Sequence, residues 1–271
     1  MERLSDHAAT IVHRLLAGRP GALALDFDGT LTEIVADPSL PRLTPERREV
    51  VAGLAGIPTL RLAVVSGRGR EDVAERLGVA GVETVGNHGF DLEGWCPPGG
   101  DRSRRALQRF LRSLAGPTAD RPAFSIEDKG ATATLHLLGT RADAARDGLL
   151  RALQLRLDRV LADEAEAPGA AAEAGPALRL HPGKASVEVR PGLAWDKARA
   201  LEVLLARWGV APVDAFYAGD DVTDECVFAA LHDGVTVKVG GGESSARYVV
   251  EGPEELYAFL RGLLESARLN R

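Results

Sequence analysis

Three short apolar runs in the sequence each end in polar residues that could take part in chemistry. The residues are Asp26 and Asp28 after the first run, Ser66 after the second, and Asp220, Asp221 and Asp224 after the third. Each has an ordinary explanation when taken alone, since Asp-Gly at 28–29 is a common turn pair and Asp-Asp at 220–221 could cap a helix. If they meet, the carboxylates repel one another unless a cation lies among them, and oxygen-rich sites of this kind suit magnesium.

The two-residue spacing of Asp26 and Asp28 suits phosphoryl transfer in two steps. A carboxylate can attack phosphorus and form an acyl phosphate, which divides one difficult displacement into two easier ones. Asp26 would be held rigidly at the end of a strand. Asp28, two residues later, could point the same way and reach the leaving oxygen as an acid or base.

Lysine is rare in this chain, which has 4 lysines against 29 arginines. An ammonium is a compact point charge and a guanidinium is a planar fork, so a site that needs the first cannot simply take the second. Every lysine is therefore a candidate for a specific role. The four are Lys129, Lys184, Lys197 and Lys238.

The predicted secondary structure explains how the polar residues could meet. Buried strands are predicted at 22–27, 60–65, 82–86, 214–218 and 235–239. Helices are predicted at 5–17, from 45 onward, and at 69–77, 195–207, 223–231 and 253–267, with Ser5 capping the first helix and Gly18 ending it. This alternation predicts a parallel, doubly wound sheet whose strands share one carboxyl edge, where ligands bind.

A different pattern lies between the two halves of this alternation. Helices at 101–115 and 141–164 occur there with strands at 123–127, 131–138, 177–181 and 185–190. This grouping predicts a separate α+β module, with linkers at 97–100 and 190–192 and a mobile loop at 168–176. The predicted domains are a core of 1–96 with 192–271 and an insert of 97–191.

Composition limits the classes of function. The 271 residues are 45% apolar, carry a net charge of −6 and have a pI near 5.6, which favours a small substrate over nucleic acid. The two cysteines, Cys96 and Cys226, predict neither a disulfide framework nor a zinc site. Without a signal core or a membrane-spanning apolar run, we expect no membrane partner and a cytoplasmic location. The sequence does not fix the oligomeric state, and a monomer is the working expectation.

The run DFDGTL at 26–31 resembles the first motif of the haloacid dehalogenase superfamily of phosphatases. The other three motifs follow in order as Ser66 in VVSGR, Lys197 in WDKARAL, and GDDVTD at 219–224. The chain is therefore identified as a member of this superfamily. The resemblance implies an α/β fold, with a haloacid dehalogenase-like doubly wound parallel-sheet core and an inserted α+β cap.

The resemblance also implies roles. Asp26 would be the nucleophile, Asp28 the acid that protonates the leaving alcohol and the base that then activates water, and Ser66 and Lys197 the holders of the phosphoryl oxygens. Mg²⁺ would be bound by Asp26, the main-chain carbonyl of Asp28, and Asp220. Two further carboxylates, Asp221 and Asp224, would support the metal shell or orient the lysine, and the sequence leaves these two roles undivided.

The inserted module resembles the cap of the sugar-phosphatase branch, and its motifs resemble the trehalose-6-phosphate phosphatase family. The motifs are SIEDKG at 125–130, HPGK at 181–184 and VEVRP at 187–191, with GNHG at 86–89 before the module. The resemblance implies a sugar-phosphate substrate, trehalose 6-phosphate, bound by Gly67, Arg68, Asn87, His88, Glu127, Lys129 and Glu188. A site that hydrogen-bonds a hydroxyl rejects analogues that lack it.

Other interpretations of these residues stay open. The acidic and basic residues at 127–129 could be an exposed strand end, His88 a loop residue bonded to backbone, and His136 and His181 structural, while Lys184 has no assigned role. A second enzymatic function would be hydrolysis of sucrose 6-phosphate or mannosyl-3-phosphoglycerate. A catalytically silent regulatory binding module is a third possibility, against which the intact Asp26, Asp28, Lys197 and Asp220 argue.

Overall fold

The computed structural model describes residues 1–35, 40–114, 124–137, 143–165, 177–183 and 186–269. The chain forms two compact units. The first comprises Met1–Gly94 and Trp195–Arg271, and the second comprises Trp95–Ala194. The second unit thus begins at Trp95 where the sequence predicted 97, and ends at Ala194 where it predicted 191.

The described residues form twelve strands, eight α-helices and three short 3-10 helices, the last at Asn87–Gly89, Pro212–Asp214 and Val222–Asp224. The strands are β1 (Glu2–Arg3), β2 (Gly21–Leu25), β3 (Leu60–Val65), β4 (Glu83–Gly86), β5 (Asp91–Leu92), β6 (Phe124–Asp128), β7 (Ala133–Leu137), β8 (Leu178–Pro182), β9 (Ser186–Pro191), β10 (Ala215–Gly219), β11 (Val235–Val239) and β12 (Tyr248–Val250). The helices are α1 (Leu4–Leu15), α2 (Pro45–Ala55), α3 (Arg70–Leu77), α4 (Gly100–Leu114), α5 (Asp143–Ala165), α6 (Lys197–Trp208), α7 (Glu225–Ala230) and α8 (Pro253–Leu269).

The first unit is built on an eight-stranded sheet in the order β1-β12-β11-β10-β2-β3-β4-β5. All neighbours pair in parallel except β4 and β5. The inner strands β2, β10 and β11 are buried throughout and mostly apolar, as expected for a parallel sheet covered on both faces. Buried side chains of α1, α2, α3 and α8 join the strands in one hydrophobic cluster. The predicted doubly wound fold is confirmed.

The sequence prediction was wrong at the first helix. Helix α1 begins at Leu4, so Ser5 lies inside it rather than capping it, and the helix ends at Leu15, before Gly18. The reason is β1, which pairs with β12 and leads directly into the helix. The prediction also missed β1, β5 and β12, because two or three residues are too few to show a periodic pattern.

The second unit contains an antiparallel sheet in the order β6-β7-β9-β8. One face of the sheet packs against α4 and α5 through buried residues such as Leu107, Phe110, Leu135, Val187 and Val189. The alternation of buried and half-buried residues along β9 places Glu188 on the other face. The predicted mobile loop at 168–176 and Lys184 lie outside the described residues.

None of the helices in the described part of the chain combines the length and the apolar character that crossing a membrane requires.

Candidate active site

The carboxyl ends of β2 and β10 carry the main acidic residues of the first unit. The two strands are parallel neighbours, and the N–H of Asp26 donates to the carbonyl of Ala218 at 2.9 Å. The chain runs from β2 to β3 on one side, whereas β10 flanks β2 on the other, so this is a point where the strand order reverses. Asp26 and Asp220 follow these strands at the position where ligands bind in open parallel sheets.

Lys197 links two of the carboxylates. Its Nζ donates to Asp26 Oδ1 at 2.7 Å and to Asp224 Oδ1 at 2.8 Å. The lysine is the first residue of α6, whose preceding residue, Asp196, caps the helix by accepting from the N–H of Arg199. Lys197 is 2% exposed. A buried ammonium needs such partners, because an unpaired charge in this environment would be costly.

Crowding and burial perturb the carboxylates. Burial raises the pKa of Asp26 to about 8, an effect that Lys197 opposes and Asp224 reinforces. Burial together with Asp224 and Asp221 raises the pKa of Asp220 to about 6. Burial acts to lower the pKa of Lys197, but Asp26 and Asp224 outweigh it and raise that pKa above its ordinary value.

This carboxylate group fits a hard divalent cation. One oxygen each from Asp26, Asp220 and Asp224 lies within 4.8 Å of the others. Carboxylate oxygens are the ligands that Mg²⁺ prefers, and a cation among them would relieve the repulsion described above. Gly29 leaves the room for Asp220, because a Cβ at position 29 would lie 2.1 Å from Asp220 Oδ2.

The structure separates the contacts of Asp221 and Asp224, which the sequence left undivided. Asp224 is fully buried, and its Oδ1 accepts from Lys197 and from the hydroxyl of Tyr217 at 2.6 Å. Its Oδ2 accepts from the N–H of Asp221 at 3.0 Å. Asp221 is exposed and lies outside the close carboxylate group. Of these two carboxylates, Asp224 is the one that contacts Lys197.

Asp28 is held by Arg68, a residue that the sequence predicted to bind substrate. The guanidinium donates from Nε to Asp28 Oδ2 at 2.6 Å and from Nη2 to Oδ1 at 2.7 Å. Arg68 also approaches Asp72 at 3.4 Å. The Asp28 side chain is 39% exposed, whereas that of Arg68 is 16% exposed. The Asp28 carboxylate is thus accessible to solvent, whereas the guanidinium that binds it is mostly buried.

The ends of β3 and β4 bring the remaining predicted residues of the first unit together. The Oγ of the buried Ser66 accepts from the N–H of Arg68 at 3.2 Å, and its carbonyl accepts from the N–H of His88 at 2.9 Å. Asn87 and His88 both have positive φ angles, 54° and 55°, which non-glycine residues rarely adopt. The His88 ring packs over Gly67, where a Cβ would lie 2.5 Å from the ring.

Glu127, Lys129 and Glu188 all lie in the second unit. Glu127 pairs in register with Thr134, and Thr134 with Glu188, so the two glutamates share one face of the sheet with one strand between them. Glu127 Oε2 is 2.9 Å from His136 Nε2, and Glu188 Oε2 accepts from Arg190 Nη2 at 2.5 Å.

Two histidines of the second unit lie beside the predicted sugar-binding residues. His136 and His181 are both exposed on the sheet. His136 contacts Glu127, and His181 lies opposite Glu188 in the register of β8 and β9. Both are therefore neighbours of residues predicted to bind sugar, and the interpretation of these histidines as structural stays a prediction.

Three residues of the first unit were not assigned a role from sequence. Tyr217 gave no signal, and Gly29 was noted only as part of a turn pair and of the DFDGTL motif, because the importance of both depends on contacts with Asp224 and Asp220. Lys238 had one signal, the rarity of lysine, and the structure buries it beside Asp220, where its Nζ donates to the main-chain oxygen.

Comparison with known proteins shows the family and the fold. The family model for trehalose-phosphatase matches residues 24–252. An Arabidopsis thaliana protein described as probable trehalose-phosphate phosphatase C is 31% identical over 269 residues, covering 92% of this chain and 78% of that protein. The crystal structure of a trehalose-6-phosphate phosphatase related protein has a TM-score of 0.70 at 21% identity, covers 92% of this chain and 100% of that chain, and shows the shared fold.

A Mycobacterium tuberculosis protein, described as an uncharacterized glycosyl hydrolase, is 34% identical over 275 residues. The match covers 92% of this chain but 19% of that protein, so the chain spans about a fifth of the length of this relative. The family model covers most of the chain, and the plant relative is matched over most of its own length. This chain belongs to the trehalose-phosphatase family.

Proposed function

We propose that this chain is a Mg²⁺-dependent phosphatase that hydrolyses trehalose 6-phosphate to trehalose and phosphate through an aspartyl-phosphate intermediate. The observation that carries the proposal is the buried Lys197 between Asp26 and Asp224, with Asp220 beside them. Membership of the trehalose-phosphatase family supports the choice of reaction and substrate.

The metal site in this proposal consists of Asp26, Asp220 and the main-chain carbonyl of Asp28. Mg²⁺ bound there would neutralise negative charge on the phosphoryl group as it is transferred. Asp224 takes part through its contact with Lys197. Asp221 supports the site through the main-chain bond from its N–H to Asp224.

The chemical steps use two carboxylates. Asp26 attacks phosphorus, so a bond forms between the carboxylate oxygen and phosphorus while the bond from phosphorus to the sugar oxygen breaks. Asp28 gives a proton to that leaving oxygen and then takes one from the water that attacks the aspartyl phosphate, which releases phosphate and restores Asp26. Ser66 and Lys197 hold the phosphoryl oxygens, and Arg68 holds Asp28 in position.

The substrate assignment depends on the second unit. Glu127 and Glu188 project from one sheet face, and Lys129 follows the strand that carries Glu127. In this proposal they bind the hydroxyls of the sugar, and a sugar lacking a bonded hydroxyl would leave a polar group unpaired. Gly67, Asn87 and His88 form the part of the substrate site nearest the phosphate. A cytoplasmic location is also proposed, since Cys96 and Cys226 are both free thiols.

A panel of phosphate esters tests the function. We expect phosphate release from trehalose 6-phosphate to exceed release from glucose 6-phosphate, sucrose 6-phosphate and mannosyl-3-phosphoglycerate, and to stop in excess chelator until Mg²⁺ is restored. Equal rates for glucose 6-phosphate and trehalose 6-phosphate would overturn the disaccharide assignment. Full activity of chelated, metal-free protein would overturn the mechanism.

A further inference from the structure

One peptide group after β10 is bound at both ends by charged side chains. Lys238 Nζ donates to the main-chain oxygen of Asp220, and the N–H of Asp221 donates to Asp224 Oδ2 at 3.0 Å. This oxygen and this N–H belong to the same planar peptide unit. The two contacts therefore fix the rotation of that unit, and with it the direction in which the Asp220 side chain leaves the backbone.

Lys238 and Asp224, which bind the two ends of this peptide group, lie on the same face of the sheet. Lys238 is the register partner of Gly219 in the parallel pairing of β11 with β10. Its neighbours Val237 and Val239 point into the hydrophobic cluster, so Lys238 points to the opposite face. Gly219 allows Asp224 to approach, because a Cβ at position 219 would lie 2.2 Å from Asp224 Cγ.

The residue type at position 238 is informative. Lys238 is 7% exposed, and removing an ammonium from water is costly unless it gains strong hydrogen bonds. The chain uses 29 arginines and 4 lysines, so a lysine in a buried position indicates a site that needs a compact donor rather than a planar fork. The main-chain oxygen of a residue in the carboxylate group is such a target.

We infer that Lys238 is a positioning residue for the metal site. This inference rests on the metal-dependent part of the proposed function. Lys238 and Asp224 clamp the peptide between Asp220 and Asp221, and the clamp presents the Asp220 carboxylate beside the oxygens of Asp26 and Asp224. Lys238 acts through Asp220 and contacts neither phosphate nor sugar in this role.

Charge and geometry predict opposite results when Lys238 is replaced. Its positive charge repels a cation, so loss of the charge alone would strengthen Mg²⁺ binding. Loss of the clamp would weaken binding, because residues that orient metal ligands typically contribute about 10–100-fold to metal affinity. The sign of the change therefore separates a positioning role from a general electrostatic one.

The test measures Mg²⁺ binding without substrate, as the rise in the thermal unfolding midpoint during a Mg²⁺ titration of each variant. We expect Lys238→Met to need at least about tenfold more Mg²⁺ than the unchanged protein for the half-maximal rise. Lys238→Arg keeps the charge but replaces the compact donor, and we expect it also to weaken binding. The matched control is Arg61→Met, which removes a charge from an exposed residue near the amino end of β3 and should leave the titration unchanged.

Each outcome decides the inference. Equal or tighter Mg²⁺ binding by Lys238→Met would overturn it while leaving the metal site intact. If Lys238→Met does not fold, Lys238→Arg decides, and binding by that variant equal to the unchanged protein overturns the inference. No Mg²⁺-dependent rise in the unchanged protein would instead overturn the proposed metal site itself.

Discussion

Arg68 and Asp28 form a two-pronged ion pair in which each carboxylate oxygen accepts one hydrogen bond, at 2.6 and 2.7 Å. Paired bonds of this type fix the plane of a carboxylate as well as its position. The acid and base of the proposed reaction is thus oriented by a residue that the sequence assigned to the substrate. This relationship leads to the first prediction.

Replacing Arg68 by lysine should reduce activity more when the leaving group needs protonation than when it does not. Lysine keeps the charge but cannot make the paired bonds, so Asp28 loses its orientation. We expect kcat for trehalose 6-phosphate to fall by at least about tenfold, with a smaller effect on an aryl phosphate, whose leaving group needs little protonation. Steady-state kinetics on both esters give the measurement. Equal losses on the two esters would assign Arg68 to phosphate binding.

The two leading aspartates should fail in different ways. Asp26→Asn removes the nucleophile and should abolish the phosphoenzyme, whereas Asp28→Asn should chiefly slow protonation of the leaving sugar and attack by water. With an aryl phosphate, Asp28→Asn should keep more first-step activity than with a sugar phosphate. Acid-quenched trapping of the phosphoenzyme and burst kinetics provide the comparison. Phosphoenzyme formed by Asp26→Asn would remove the assigned nucleophile.

Asp220→Asn should separate metal binding from folding. Burial, with the charges of neighbouring carboxylates, raises the pKa values of Asp26 and Asp220. These carboxylates repel in the absence of a cation, so removing one charge should maintain or increase the unfolding midpoint in chelator. The same substitution should weaken Mg²⁺ binding and activity together. Thermal unfolding with chelator and with Mg²⁺ provides both readings. Unchanged Mg²⁺ affinity would exclude Asp220 from the metal site.

Tyr217→Phe tests the support of Asp224. The tyrosine is fully buried, and its hydroxyl donates to the same oxygen that binds Lys197. Loss of a buried hydrogen bond to a charged group should lower the free energy of unfolding by about 1.5–3 kcal/mol. Because Asp224, the partner of Lys197, is then held less firmly, kcat should fall more than KM rises. Denaturant unfolding and kinetics measure the two effects, and full kcat in a destabilised variant would limit Tyr217 to a structural role.

Substituting the predicted sugar-binding residues of the second unit should reduce activity mainly on a substrate that carries the sugar. Glu127→Ala, Lys129→Ala and Glu188→Ala are each expected to lower kcat/KM for trehalose 6-phosphate by at least about tenfold, on the order of 1.4 kcal/mol. Binding of a distant sugar ring can support catalysis at phosphorus, but a small aryl phosphate has no such ring. Its kcat/KM should change little. Similar losses on both esters would show that these residues maintain the fold of the unit.

Local pattern in the sequence determined the positions of the acidic residues relative to the strands. The runs that became β2 and β10 are continuous, apolar and buried, and the run that became β3 is interrupted only by Arg61. Asp26, Ser66 and Asp220 follow these strands directly. Since parallel strands align their carboxyl ends, convergence of these residues could be predicted without any contact being known. Elements of two or three residues, such as β1 and β12, gave no periodic signal and depend on their pairing partners.

Only the tertiary structure decided which charges pair. Lys197 lies 171 residues from Asp26 in the sequence, and Arg68 lies 40 residues from Asp28. A hydrogen bond requires the donor and acceptor to be placed within a few tenths of an ångström and in the right direction. Spacing along the chain encodes neither requirement. For the same reason the sequence could not divide the roles of Asp221 and Asp224. The two residues differ because packing buries Asp224 beside β10, α6 and Tyr217, whereas Asp221 is exposed.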